Sequence, residues 1–163
     1  MNPSDIAFDW ITLDEAMAAG VEDLLALHWQ EVAMDQETFP LSPNWAGYRT
    51  LERSGVLRGI AAWKGGALVG YNVFFVQPTL HYSTSAWAVN DILYLAPAER
   101  RGLTGARLIR KSEEMLHGLG VRKVIYHTKL HVHLGHAKTN ATVGRLLSAL
   151  GYAHIEDVMA KVI

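Results

Sequence analysis

The sequence predicts an α/β fold, a mixed central β-sheet flanked by helices. Three observations predict it. Residues 57–63 and 67–76 are apolar runs on either side of Lys64-Gly65-Gly66, which is a hairpin signal. Residues 95–121 read as strand end, glycine-containing turn, amphipathic helix and strand, which is one crossover unit. Residues 140–162 then read as a further helix and strand, so an initial meander gives way to alternation.

The elements follow in order. Residues 6–13 form a short strand pattern, and a helical region begins at Asp14. Val21, Leu24, Leu25, Leu27, His28 and Val32 recur at helical spacing over 20–33. Pro40, Pro43 and Asn44 mark a loop, and residues 45–54 suit a second short helix. Gln77 and Pro78 close the hairpin, and a third strand pattern covers 85–95 and stops at Pro97. Residues 104–119 are amphipathic and end at Gly120, a good helix terminator. A strand at 121–128, a helix at 140–150 ending in Gly151, and a last strand at 152–162 complete the chain. At 163 residues, with no internal repeat or linker, it suits a single domain over 1–163.

Composition excludes several classes. Half the residues are hydrophobic and 19% are charged, an ordinary globular balance rather than a disordered one. With no cysteine there is no disulfide, no thiolate metal site and no cysteine nucleophile. The segment MNPSDIAFDW lacks the basic stretch and apolar run of a signal peptide. No stretch approaches the ~18 apolar residues of a spanning helix. The expectation is a cytoplasmic protein without membrane contact. His127, His131, His133 and His136 lack the carboxylate partner and helical spacing of a zinc site, so no metal is expected. Neither a Gly-x-Ser-x-Gly elbow nor a phosphate-binding Gly-Lys-Ser/Thr loop is present.

Charge is unevenly placed. Residues 1–99 hold four Arg/Lys against twelve Asp/Glu, and residues 100–145 hold ten against two. The second block suits an anionic ligand and the first a cationic one. Segregated solvated faces would look the same.

The chemistry concentrates in residues 91–110, DILYLAPAERRGLTGARLIR. A strand leads to Pro97, and Arg100, Arg101, Gly102 and Gly105 form a short turn into a helix. Glycine lets backbone approach an anion closely. The helix N-terminus adds unpaired N–H donors and partial positive charge. Arginine adds bidentate contacts to phosphate oxygens. A pyrophosphate fits such a turn.

This segment resembles the acetyl-CoA-binding motif of the GNAT acetyltransferases, Arg/Gln-x-x-Gly-x-Gly/Ala after a strand written Leu-x-Val-x-Pro. Leu93-Tyr94-Leu95-Ala96-Pro97 matches the strand. Counting from Arg100 places Leu103 at the first glycine and Gly105 at the second; counting from Arg101 places Thr104 and Ala106 there. A second stretch, from Asn140 through Val143, Leu146 and Leu150 to Gly151-Tyr152, resembles the family helix Asn-x-x-Ala-x-x-Leu-Tyr-x-x-x-Gly-Phe. A looser likeness to a phage-encoded branch lies in Leu27-His28-Trp29-Gln30-Glu31 and Thr79-Leu80-His81-Tyr82.

The resemblance implies a GNAT fold in which two strands splay around the CoA site, and transfer of an acetyl group to a primary amine. It implies acetyl-CoA as acyl donor, held by Leu93, Tyr94, Leu95, Arg100, Arg101, Gly102, Leu103, Thr104, Gly105, Ala106 and Asn140. Three residues are candidates for the base that frees the amine of its proton. Glu31 is either that base or a solvated helix carboxylate. Asp91 sits among apolar residues, either as a base or as the partner of an arginine. His127 titrates near neutrality, or is a core histidine. Trp29, Trp45, Tyr48, His81 and Tyr82 are candidates for acceptor contact. The tyrosine that protonates the leaving thiolate in the family aligns with Leu147, so Tyr94, Tyr126 or water would have to serve, or the chain binds CoA without catalysis. The acceptor is a small-molecule or macromolecular amine. Nucleic acid enters as an acceptor or, in the alternative reading, as the ligand of a binding protein; a homodimer is compatible with the pattern.

Overall fold

The computed structural model describes residues 5–128 and 137–162, with side chains in the second stretch from residue 142. The chain divides into two compact units, residues 1–127 and 128–163. In the first unit β1 (Ile6–Ile11), β2 (Leu57–Lys64), β3 (Ala67–Thr79), β4 (Tyr82–Leu95) and β5 (Val121–Ile125) form one five-stranded sheet in sequence order. The first four strands are antiparallel neighbours, and β4 and β5 run parallel. Helices α1 (Leu13–Ala18), α2 (Val21–Val32) and α3 (Trp45–Arg53) separate β1 from β2, and α4 (Thr104–Gly118) is the crossover into β5. The mixed sheet with flanking helices is therefore the predicted class.

Local chemistry sets most boundaries. β1 stops two residues short of the predicted Leu13 because Thr12 turns the chain into α1 with a capping box. Its Oγ1 accepts from the Glu15 N–H at 3.2 Å, and the Glu15 carboxylate accepts from the Thr12 N–H at 2.8 Å. The hairpin prediction was too short. Gln77 and Pro78 do not end β3, which runs to Thr79, and β4 begins at Tyr82 rather than Ser85. Both residues lie where β3 has outrun β2, whose first paired residue is Leu57 opposite Phe75. A proline there forfeits no bond to that side.

The two faces of the sheet carry different cores. Ile60, Ala62, Phe74 and Ala88 pack with Leu108 and Leu116 of α4, all fully buried. Leu24 of α2 packs with Tyr71 and Tyr94 on the opposite face. Leu27, predicted among the apolar positions of α2, is 53% exposed, because it points away from that contact. Gly70 lies where β3 meets the end of β4. A Cβ there would come within 2.6 Å of the Tyr94 carbonyl oxygen, so the end of β4 can lie this close only beside glycine.

The second unit contains α5 (Ala137–Ala149). It ends in a Schellman arrangement: Gly151 has φ +97°, its N–H donates to Ser148 O, and the Tyr152 N–H donates to Leu147 O, both at 3.0 Å. The predicted strand at 152–162 is not formed. Alternation is a local property, whereas a strand requires a neighbour to accept its ladder bonds. Ile155, Val158 and Met159 are instead exposed.

Candidate active site

The site begins where β4 and β5 part. Their pairing ends at Val89 opposite Ile125, while β4 continues to Leu95 alongside β3. Within that continuation Phe74 opposes Asn90 and Val73 opposes Ile92, so Asp91 is the extra residue of a β-bulge. Beyond it, the edge of β4 facing away from β3, carrying Leu93, Tyr94 and Leu95, has no ladder partner among the described residues. That edge offers alternating N–H and C=O groups to an extended ligand.

The chain then makes a short 3-10 turn at Pro97–Glu99, pinned by the Lys64 ammonium donating to both Glu99 oxygens at 2.9 Å. Gly102 follows with φ +66°, a conformation that favours glycine, and α4 starts at Thr104 behind Leu103 as N-cap. Leu103 supplies no side-chain cap. The first-turn N–H groups of Thr104, Gly105 and Ala106 therefore face outward at the positive end of a 15-residue helix. A glycine is thus not needed at position 103, whose φ is −101°. The conformational demand falls one residue earlier.

Arg100 and Glu31 are bonded to each other. Both Arg100 terminal nitrogens donate to the Glu31 carboxylate, and its Nε donates to the Leu95 carbonyl at 2.7 Å. Its guanidinium also lies 5.1 Å from the centre of the Tyr94 ring. Arg100 therefore clasps α2 to the turn. Exposed Arg101, with no ion pair among the described residues, is the arginine presented at the helix start. Arg100 also holds the Glu31 carboxyl below the usual carboxylate range, with the Tyr94 hydroxyl donating to it at 3.3 Å. A carboxylate stabilised in this way is a weak proton acceptor.

Asp91 is set differently. It is exposed at the bulge, contrary to the expectation of an apolar setting, because the bulge turns the extra residue out of the ladder. Its charge reaches Tyr48, whose hydroxyl is pushed up first by burial and then by Asp91. Tyr48 packs on Trp45 with ring centres 5.5 Å apart. Together with Leu13, Tyr71 and Ile92 they line a largely apolar cavity of about 70 Å³ beneath α1 and α3. Beside it His28 Nδ1 and the Tyr71 hydroxyl share a 3.0 Å hydrogen bond, and the His28 ring stacks on Tyr94 at 4.6 Å. Tyr71 carried no motif, and His28 entered only through the loose likeness of residues 27–31. Only the strand register and the helix face bring them together.

Other candidates fall elsewhere. His81 and Tyr82 sit at the tip of the β3–β4 hairpin, where Leu80 is 100% exposed and Tyr82 stacks on Trp87. At ~3.3 Å per residue they lie roughly 25 Å along the strands from Tyr71. Trp29 is half-buried on α2, its carbonyl accepting from Gln36 at 3.2 Å, and its ring is outside the stack. His127 is exposed beyond the end of β5 and is not a core histidine. Among the substitutes for the family tyrosine, Tyr94 is bonded to Glu31, and the Tyr126 hydroxyl accepts from Asn72 at 2.8 Å. Burial raises the pKa of both hydroxyls. Leu147 is buried in the second unit. The Asn140 side chain and residues 131, 133 and 136 lie outside what the structure describes. Among the described residues no His, Asp and Glu cluster could hold a metal, and no helix is long and apolar enough to cross a membrane.

No protein-family model and no curated protein matches the sequence. Solved structures do. An aminoglycoside acetyltransferase, HMB0005, from an uncultured soil metagenomic sample superposes with TM-score 0.73 at 21% identity, over 98% of this chain and 97% of that one. The aminoglycoside acetyltransferase AAC(6')-Iy, in complex with the bisubstrate analogue CoA-S-monomethyl-acetylneamine, gives 0.66 at 14%, over 98% and 99%. A ribosomal-protein-alanine N-acetyltransferase from Brucella melitensis gives 0.66 at 16%, over 98% of each chain. The fold of this protein is that of the GNAT acetyltransferases.

Proposed function

We propose that the chain, over 1–163 as one domain, is an acetyl-CoA-dependent N-acetyltransferase acting on a primary amine. One observation carries this reading: β4 leaves β5 at Val89 and runs on, paired only with β3, to a turn whose helix has no side-chain cap at its N-terminus. An extended anionic ligand needs both parts, a hydrogen-bonding edge for its arm and N–H donors for its phosphates. The residues fit. The free edge at Leu93, Tyr94 and Leu95 would take the arm. Gly102, Leu103, Thr104, Gly105, Ala106 and exposed Arg101 would surround the pyrophosphate. When bound, acetyl-CoA supplies the acyl group as an activated thioester.

The chain's own residues supply the rest. Asp91 takes the proton of the incoming ammonium, directly or through one water, because an amine attacks only when neutral. Tyr48, Trp45 and the His28–Tyr94 stack form an aromatic wall for the acceptor, with Asp91 contributing negative charge beside it. Such a wall favours a cationic amine with a ring or alkyl body. The aminoglycoside enzymes of this fold support an aminosugar as the first acceptor to test. Protonation of the leaving thiolate falls to solvent, since Tyr94 and Tyr126 are engaged. A cytoplasmic setting suits a consumer of acetyl-CoA. The phage-branch placement rests only on residues 27–31 of α2 and 79–82 at the hairpin tip, and supports no part of the acceptor assignment.

The alternative, a nucleic-acid-binding or non-catalytic CoA-binding protein, draws on the basic block and Leu147. Many of those charges are committed locally. Arg100 binds Glu31, Arg107 donates to Ile6 O and lies over Phe8, Lys111 binds Glu114, and Lys123 lies over Trp87. Calorimetric titration with acetyl-CoA decides between the readings. Wild type should bind, and Arg101→Ala should bind about tenfold more weakly, the loss of one charge-assisted contact. Thiol release over aminoglycosides, polyamines and lysine peptides then identifies the acceptor. DNA binding that weakens steeply with salt, without acetyl-CoA binding, would favour the alternative.

A further inference from the structure

Beneath the bulge lies a buried set of amides and hydroxyls that the reaction itself does not use. Asn72 and Ser112 are fully buried and Asn90 is 6% exposed. The Asn90 side-chain amide donates to Val73 O at 3.1 Å, Ile92 O at 3.0 Å and Asn72 Oδ1 at 2.8 Å. Val73 and Ile92 are the register pair immediately past the bulge. Asn90 therefore satisfies one carbonyl from each strand where the ladder is interrupted. Asn72 passes the link on, its amide donating to Ser112 Oγ at 2.9 Å and to the Tyr126 oxygen at 2.8 Å. Ser112 in turn donates to Leu108 O at 2.8 Å.

The members of this network have a common location. Asn90 grips the bulge, Ser112 belongs to α4, whose N-terminus faces the proposed phosphates, and Tyr126 directly follows the last residue of β5. Buried amides are costly unless paired, and an apolar pair here would pack without that cost. A bulge without substitute donors would relax into regular pairing. A one-residue slip would then move every following side chain to the other face, taking Asp91 from the acceptor side.

We propose that Asn90, backed by Asn72, is a positioning residue that keeps β4 bulged and parted from β5, so that the acyl-donor edge stays open and Asp91 faces the acceptor. This rests on the acetyl-CoA reading above. Acetyl-CoA titration and steady-state kinetics on wild type, Asn90→Ser and Leu116→Ala test it. Leu116 is fully buried in the α4 core, away from the bulge. Asn90→Ser should weaken acetyl-CoA binding at least tenfold, raise KM for acetyl-CoA and lower kcat on the amine. Leu116→Ala should lower the melting temperature and leave the acetyl-CoA Kd within twofold. Wild-type binding with an unchanged Asn90→Ser, or equal weakening in Leu116→Ala, overturns the positioning role alone. No heat with wild type overturns the acyl-donor reading as well. If Asn90→Ser does not fold, NMR on the unaltered protein decides. Asn90 side-chain amide protons that exchange slowly and shift on adding acetyl-CoA support the role, and exchange at the solvent rate overturns it.

Discussion

The two faces of the sheet solve different problems with the same strands. On the α4 side, Ile60, Phe74, Ala88, Leu108 and Leu116 exclude water completely, and the polar groups there are amides and hydroxyls bonded to one another. On the α1–α3 side, Tyr48 and Tyr71 line a small cavity, and His28, Tyr94 and Glu31 are linked to Tyr71 through hydrogen bonds and ring contacts. Alternation along each strand sends one residue to stability and the next to chemistry. The bulge at Asp91 is where that alternation is broken and a carboxylate is turned outward.

This contrast can be broken by substitution on either face. Asp91→Asn should reduce kcat/KM by about 10²–10⁴-fold, the usual worth of a general base, with little change in melting temperature because the side chain is exposed. Unchanged turnover on the preferred amine would remove Asp91 from the mechanism. Phe74→Ala, on the opposite face, should cost about 3–5 kcal/mol in urea unfolding through lost burial and the cavity left behind. A cost under 1 kcal/mol would show that this face is not the dry core.

The smallest effect concerns the Glu31–Arg100 clasp. The folded Glu31 pKa is lowered, so the pair stabilises the protein fully above the ordinary glutamate value of about 4.3 and loses this as pH falls through the lowered value. Side chains 32% and 36% exposed limit it to about 1 kcal/mol or less. Wild type and Glu31→Gln should therefore differ by a constant amount from pH 8 to about 5 and converge as the pH falls through the lowered Glu31 value. A difference that instead grows as the solution is acidified would contradict the clasp.

Much of this was legible in the chain. The Lys64-Gly65-Gly66 turn, the Arg100–Gly105 segment and the amphipathic run into Gly120 predicted a hairpin and a crossover, and both are present. Leu103, which departs from the family motif, lies just past the position that required glycine, Gly102. Two kinds of feature were not legible. The strand expected at 152–162 depended on a neighbour that no local pattern encodes. Asp91 read as a carboxylate among apolar residues because the runs on either side, residues 86–89 and 92–95, are apolar; the extra residue of a bulge is recognisable only when two strands are laid side by side.

What the sequence determined by itself was therefore the order of elements and the chemistry of the turn, since periodicity, glycine and capping act over a few residues. The tertiary structure alone decided which arginine is free, which carboxylate is spent on a clasp and which faces outward. Arg100 and Glu31 are 69 residues apart, and Asn72 and Tyr126 are 54 apart. Each pair meets because strand register and helix docking place it there, and such distances carry no trace in local spacing.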